Sequence, residues 1–202
     1  MNPVADTITR TIRAKGRGWV FTPKDFLRVG SRATVDQTLS RLSRKGMIRR
    51  LSSGLYDYPK QHPQLGMLSP SADDLAQAIT AKKGDRVFPS GAAAANSLGL
   101  STQVPAKPVY LTNGPSKTYK IGTRTISLKH ARIPIFNRLS DQANLVIQAL
   151  AYMGKDNIDV HTVQLCAKFL SDKDVKKMLT VIPQLPDWLT AIVMEIQKIK
   201  NG

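Results

Sequence analysis

The chain has 202 residues, of which 42% are hydrophobic, and its 30 Lys and Arg against 14 Asp and Glu give a net charge of +16. This apolar content predicts a folded protein with one large domain or two small ones. No apolar run reaches the roughly 18 residues that cross a membrane, and the N-terminus lacks the apolar core of a signal peptide, so we expect a cytoplasmic protein with no membrane partner. The lone cysteine, Cys166, excludes an internal disulfide and a zinc site built from cysteines.

The positive charge is concentrated in the first two thirds of the chain. Residues 1–60 hold 13 basic and 4 acidic residues, and residues 61–137 hold 9 and 3, whereas residues 138–202 hold 8 and 7. This excess exceeds what solubility requires and predicts a polyanionic partner for the first part of the chain. The last third has the charge balance of an ordinary protein surface.

The N-terminal elements follow from hydrophobic spacing and helix-start signals. Val4, Ile8 and Ile12 predict a helix over residues 3–14, followed by a short β-prone run at residues 19–21. Thr22 as N-cap and Pro23 at the first helical position predict a short helix that closes at Gly30.

The most informative stretch runs from Ser31 to Tyr58. Val35, Leu39 and Leu42 predict the buried face of a helix that ends at Gly46. Two strands, residues 47–51 and 55–58, are expected around a loop of Ser52, Ser53 and Gly54. The outer face of the helix carries an amide, a hydroxyl and two guanidinium groups but no carboxylate, and its residues are Ala33, Gln37, Ser40, Arg41 and Arg44.

The order helix, β segment, helix, turn, helix, hairpin is that of a winged helix-turn-helix, in which the second helix of the pair enters the major groove of DNA. Gln37 could pair with adenine, Arg41 or Arg44 with guanine or phosphate, and the hairpin with phosphates. The predicted DNA-binding residues are Ser31, Arg32, Ala33, Thr34, Gln37, Ser40, Arg41, Arg44, Lys45, Arg49, Arg50, Ser52 and Ser53. A solvated basic face and a protein-binding module are the alternatives. The single sign of the charge argues against both.

After residue 60 the pattern changes twice. Residues 59–70 contain three prolines and no periodicity, which predicts a linker or irregular crossover. A helix begins at Ser71 with Asp74 in capping-box spacing and covers DDLAQAITAKKG. Beyond it we expect a strand at residues 86–88, an alanine-rich helix whose small residues let it pack closely on a sheet, and β-rich runs with exposed lysines and arginines.

The region from residue 138 reads as helical. Helices are expected at residues 140–153, 163–170 and 175–182, with Ser171 and Asp174 in capping-box spacing. A last helix starts at Pro186 with the apolar stripe Trp188, Ile192, Ile196 and Ile199.

No pattern in the chain is typical of an enzyme. The three histidines are far apart and lack a metal-ligand partner at helical spacing. Asp172 and Asp174 form a D-x-D pair, but it opens a helix, so capping explains it better than magnesium binding. Cys166 lies among apolar residues and is interpreted as a core residue. We therefore predict no catalytic site, no metal and no cofactor.

The segments RLSRKGMIRRLSSGLYDYP, DDLAQAI and VFPSGAAAANSLGLSTQVPAKPVYLTNGPSK resemble the AbiEi-like antitoxins of type IV toxin-antitoxin and abortive-infection (phage defence) systems. The resemblance covers roughly residues 5 to 135 and is most specific from Pro89 to Pro105. It implies an N-terminal winged helix that represses its own operon and a further domain that opposes a co-encoded nucleotidyltransferase toxin. By the resemblance, DNA binding falls on residues 31–45 and 49–53.

The residue patterns predict an α+β protein with a winged helix-turn-helix at residues 1–60 and a second part at residues 61–202, mixed to about residue 137 and helical from 138. The resemblance implies that this second part is an antitoxin domain. The expected function is a DNA-binding autorepressor and antitoxin. Its expected partners are an inverted repeat of operator DNA upstream of its own operon and the nucleotidyltransferase toxin. The alternatives are an interaction protein whose basic middle region binds an acidic toxin or RNA, and a stand-alone winged-helix transcription factor.

Overall fold

The computed structural model describes residues 3–81 and 85–201. Helices and strands are mixed along this part of the chain, which confirms the predicted α+β class. None of the helices within these residues combines the length and apolarity needed to cross a membrane. The α-helices are α1 Pro3–Lys15, α2 Arg32–Arg44, α3 Ala72–Ala81, α4 Gly91–Ser97, α5 Asp141–Met153, α6 Val160–Phe169, α7 Asp172–Leu179 and α8 Asp187–Asn201. The strands are β1 Val20–Phe21, β2 Arg49–Ser52, β3 Leu55–Asp57, β4 Gln61–His62, β5 Gly66–Met67, β6 Val87–Pro89, β7 Val109–Thr112, β8 Lys117–Ile121 and β9 Arg124–His130.

The chain divides into two compact units. Unit 1 comprises Met1–Asp85 and Thr118–Ile126, and unit 2 comprises Arg86–Lys117 and Ser127–Gly202. Unit 1 therefore continues past residue 60, and the domain boundary expected there stays a prediction. The expected end of the third helix, at residues 82–84, lies outside the described residues.

The core of unit 1 is built by α1, α2 and an antiparallel sheet in the order β1-β3-β2. The predicted apolar residues of α1 and α2 are buried, except that Val4 is half-buried against the same core. The aromatic ring of Phe21 packs edge-on against Phe26 at 5.6 Å and stacks on Tyr56 at 6.1 Å. Aromatic pairs in these geometries add to the stabilisation from burial. The core residues are Ile8, Ile12, Phe21, Phe26, Val35, Leu39, Leu42, Ile48 and Tyr56.

The small sheet of unit 1 is covered on both faces. Successive side chains of a strand point to opposite faces, yet all three residues of β3 are buried. Tyr56 faces the core that α1 and α2 share, and α3 packs against β1. Helix α3 thus belongs to the same unit as the strands.

Two short segments differ from their predictions. The helix expected from Pro23 to Val29 is a single 3₁₀ turn, Pro23–Phe26, because the N–H groups of Leu27 and Val29 bond three residues back. Thr22 still begins it, with its N–H and hydroxyl 2.7 and 3.0 Å from Asp25 Oδ2. The expected linker at residues 59–70 contains the hairpin β4–β5, with Gln61 opposite Met67.

Unit 2 combines strands with a helical layer. In unit 2, β7 runs antiparallel to β6 and parallel to residues 127–130 of β9. Most of β8 and residues 124–126 of β9 are counted with unit 1. Helix α4 packs chiefly on α5, so the close partner of its small residues is a helix and not the sheet that we expected. The helical core is formed mainly by Val146, Ile147, Leu150, Val163, Cys166, Leu170, Val175, Met178, Leu189, Val193 and Ile196.

Two of the C-terminal helices, α6 and α7, begin earlier than predicted. Helix α6 starts at Val160 because Asp159 caps it, and α7 starts at Asp172 because Ser171 and Asp174 form the expected capping box. In α8 the predicted residues Ile192 and Ile196 are buried, whereas Ile199 is 44% exposed. Leu189 and Val193, which were not predicted, complete the buried side.

Candidate nucleic-acid interface

Helix α2 is held at both ends by the residues that the sequence indicates. Ser31 Oγ accepts a hydrogen bond from the N–H of Thr34 at 3.3 Å and lies 2.9 Å from its hydroxyl. After Lys45 the backbone turns at Gly46, which has a φ of +71°, a conformation that favours glycine. Val35 and Leu39 are fully buried on the inner side, so the opposite side of the helix must face outward.

The outward face presents the predicted polar residues together. Ala33, Gln37, Arg41 and Arg44 are exposed, and Ser40 is half-buried. Beside them lies a shallow depression of about 480 Å³. Thr38 also borders this depression, although the sequence did not indicate it. It is buried, and its hydroxyl donates to the Thr34 carbonyl at 2.8 Å. The depression is lined by Thr34, Gln37, Thr38, Arg41, Arg44 and Lys45.

The charge of this face is unbalanced because its one neighbouring carboxylate is already paired. Arg32 Nε lies 2.8 Å from Asp36 Oδ2 on the flank of the helix. No carboxylate in the described part of the chain lies within 4 Å of Arg41, Arg44 or Lys45. Three cations next to Gln37 therefore remain available to an external anion, whereas Arg32 is engaged within the helix.

The two arginines of β2 have different surroundings. Arg49 donates to the carboxylate of Asp57 from Nε at 3.1 Å and from Nη2 at 2.6 Å, and Nη2 also donates to the Leu68 carbonyl at 2.8 Å. The Asp57 side chain is only 1% exposed. The structure therefore engages the Arg49 guanidinium inside unit 1 and does not place it with the α2 cations.

Arg50 points the other way. It is exposed and lies opposite Tyr56, whose ring packs into the core that α2 also lines. Because neighbouring residues of a strand alternate, Arg50 is on the α2 side of the sheet and Arg49 on the opposite side. Ser52 pairs with Leu55 beyond a bulge, and Ser53 is exposed at the loop before Gly54.

Three arginines bind backbone carbonyl groups of the segment 59–70, a role that the sequence did not indicate. Arg17 Nη1 donates to the Pro59 carbonyl at 3.0 Å, Arg49 to Leu68 and Arg124 Nη1 to Pro70. Each guanidinium satisfies a carbonyl of the segment 59–70. The paired residues are 42, 19 and 54 positions apart, so no local pattern could have revealed them.

Three of the residues considered for catalysis or metal binding, His62, Asp174 and Cys166, are hydrogen-bonded or buried within the fold. His62 Nδ1 accepts from the N–H groups of Gln64 and Leu65 at 3.2 and 3.3 Å. Asp174 binds the Ser140 and Ser171 hydroxyls. Burial raises the pKa of the Cys166 thiol to about 11. Across residues 3–81 and 85–201 no three His, Cys, Asp or Glu side chains are grouped to hold a metal ion.

Comparison with known proteins places the chain in a family. The family model described as "Family of unknown function (DUF6088)" matches residues 7–178. No curated protein matches the chain. Because the matched region covers most of the sequence, the chain belongs to the DUF6088 family.

Proposed function

We propose that the chain is a DNA-binding transcriptional autorepressor that acts as the antitoxin of a type IV toxin-antitoxin system and opposes a nucleotidyltransferase toxin. One observation carries the DNA-binding part. The outer face of α2 joins Gln37 to the unpaired cations Arg41, Arg44 and Lys45, and its flanking carboxylate is paired with Arg32. The resemblance of residues 5 to 135 to AbiEi-like antitoxins supports the toxin-opposing part.

In this proposal α1, the 3₁₀ turn, α2 and the sheet β1-β3-β2 act as a winged helix-turn-helix. Helix α2 lies in the major groove, where Gln37 pairs with adenine and Arg41 or Arg44 with guanine or phosphate. Arg50 and Ser53 of the hairpin contact the phosphate backbone. Arg49 is left out of the contact surface because Asp57 and Leu68 occupy its donors.

Binding to the DNA upstream of the chain's own gene tests the first part. We expect a labelled duplex from that region to bind at least about a thousandfold more tightly than a shuffled duplex at the same salt concentration. Equal affinity for the two duplexes would refute the autorepressor.

A matched pair of double variants then tests the interface. Arg41→Ala with Arg44→Ala removes two exposed arginines three positions apart on α2, and Arg10→Ala with Arg13→Ala removes two at the same spacing on α1. Both lower the net charge equally, so long-range attraction falls equally. We expect the α2 variant to lose most operator binding and the α1 variant to retain nearly all of it. Equal losses would refute α2 as the DNA reader.

The experiment on the toxin-opposing part of the proposal uses the intact chain. Removal of residues 1–60 would cut through unit 1, so a point variant is the cleaner tool. We expect the wild-type chain to restore growth of cells that express a nucleotidyltransferase encoded beside it. The Arg41→Ala, Arg44→Ala chain, expressed from a foreign promoter, should also restore growth if neutralisation is independent of repression. If the wild-type chain gives no protection, the antitoxin part of the proposal is refuted and the repressor part is unaffected.

A further inference from the structure

Helix α7 of unit 2 carries a second concentrated positive surface. Lys173, Lys176 and Lys177 are spaced i, i+3 and i+4, so they lie on one side of the helix, and all three are exposed. Val175 and Met178 are buried on the other side. We call these three lysines the α7 lysine face.

The acidic residues next to this face point elsewhere. Asp172 is 3.5 Å from Lys200. Asp174 is buried and accepts hydrogen bonds from the Ser140 and Ser171 hydroxyls, although the charge of Lys177 still acts on it. Among the described residues no carboxylate lies within 4 Å of any of the three lysines.

Residues 138–202 contain nearly equal numbers of basic and acidic residues, but the two kinds occupy different places in the structure. The acidic residues are used largely at helix starts, where a negative charge complements the helix dipole. Lys176 and Lys177 lie in the last turn of α7, where the helix dipole favours cations, but both repel Lys173, which lies three and four positions before them. The acidic residues at helix starts are Asp141, Asp159, Asp172, Asp174 and Asp187.

The composition of the face indicates the class of partner. Protein interfaces are depleted in lysine at their centre and depend on aromatic and arginine anchors, which this helix side lacks. Lysine ammonium groups are compact point charges that bind phosphates without requiring a fixed geometry. We propose that the α7 lysine face is a second nucleic-acid contact, which binds phosphates without reading sequence. This inference rests on the proposed DNA-binding function, since DNA is the polyanion that the chain would meet.

Salt-dependent binding to a random-sequence duplex tests the inference. The test variant is Lys173→Gln, Lys176→Gln, Lys177→Gln, and the control is Lys155→Gln, Lys168→Gln, Lys198→Gln, which removes three exposed lysines that do not share one helix face. Each phosphate contact contributes about −0.9 to the slope of log K against log salt, so the test variant should reduce the magnitude of this slope by up to about 2.7. The control should change it much less, and a triple Lys→Arg variant should retain the wild-type slope. Circular dichroism melting of each variant confirms that it is folded.

The outcomes separate this inference from the proposed function. Slope magnitudes that fall equally in the test and control variants would overturn the α7 contact, whether or not the wild type prefers its operator. A wild type that binds random DNA but does not prefer its operator would remove the autorepressor, and the slope comparison would still decide the α7 contact. If the test variant kept its DNA binding but lost association with the neighbouring-gene toxin, the partner would be a protein, and the nucleic-acid inference would be wrong.

Discussion

Arg49 and Asp57 form a two-pronged ion pair across the β2–β3 hairpin, with Nε–Oδ1 and Nη2–Oδ2 distances of 3.1 and 2.6 Å. Arg49 also holds the Leu68 carbonyl, so one guanidinium connects the hairpin to the segment that follows it. Asp57 is almost fully buried, and it would become an unpaired buried charge without Arg49. The pair therefore gives the hairpin a defined position in unit 1.

We predict that Arg49→Ala lowers the free energy of unfolding by about 3 kcal/mol, because breaking a buried ion pair leaves the other charge uncompensated. Urea titration followed by circular dichroism measures the change. Arg49→Lys should recover only part of the loss, since an ammonium cannot form the two-pronged contact. An Arg49→Ala protein that unfolds at the wild-type urea concentration would contradict this role.

Arg50→Ala should weaken DNA binding and leave stability nearly unchanged, in contrast to Arg49→Ala. We expect stability to remain within about 0.5 kcal/mol of wild type, since the residue is exposed and unpaired among the described residues. Under the proposed function, the variant loses one phosphate contact, so the magnitude of its slope of log K against log salt should fall by about 0.9. Fluorescence anisotropy at several salt concentrations gives this slope, and an unchanged slope would exclude Arg50 from the interface.

Asp174 should make the protein sensitive to acid. Burial alone would raise the pKa of Asp174, but hydrogen bonds from Ser140 and Ser171 and the charge of Lys177 outweigh burial and lower the pKa below the ordinary value of 3.8. A carboxylate with a lowered folded-state pKa contributes stability above its unfolded pKa and loses it as the pH falls through the folded value. We expect urea midpoints to fall below about pH 4 in the wild type. Asp174→Asn should be less stable at pH 7 and show a shallower fall, and equal acid dependence would contradict this.

Gly91→Ala should push α4 away from α5. A Cβ at Gly91 would lie 2.3 Å from Tyr152 Cβ and 2.9 Å from the Gln148 carbonyl oxygen. Overpacking of this kind costs about 1–3 kcal/mol, which thermal melting would detect. The added change Tyr152→Gly removes one of the two clashing atoms. The double variant should therefore be more stable than the sum of the two single losses of stability predicts. A fully stable Gly91→Ala protein would show that the helices are not in close contact.

The Cys166 thiol should be unreactive in the folded protein. Burial raises its pKa to about 11, so almost none of it is thiolate at pH 8. A chromogenic disulfide reagent should label it only after urea is added. Rapid labelling without urea would mean that the α6 region opens readily.

The sequence alone determined those features that depend on neighbours three or four positions away. The Ser31 cap and the capping boxes of Ser71 with Asp74 and of Ser171 with Asp174 were predicted and are present. The predicted apolar residues of α1 and α2 are buried, apart from the half-buried Val4. Hydrophobic spacing and helix-end chemistry are local, so they can be read without knowing how the chain folds. The arrangement of Gln37, Arg41 and Arg44 on one exposed face of α2 follows from the same local spacing.

Tertiary structure decided which charges remain available. From the sequence, Arg49 and Arg50 are equivalent hairpin arginines, and only the position of Asp57 and Leu68 separates their surroundings. Arg17 and Arg124 likewise bind carbonyls 42 and 54 residues away. The bond between Ser140 and Asp174, 34 positions apart, ties the start of α5 to the start of α7. Such pairs form only when folding brings distant residues together, because a charged group engages whichever partner packing places within hydrogen-bond distance.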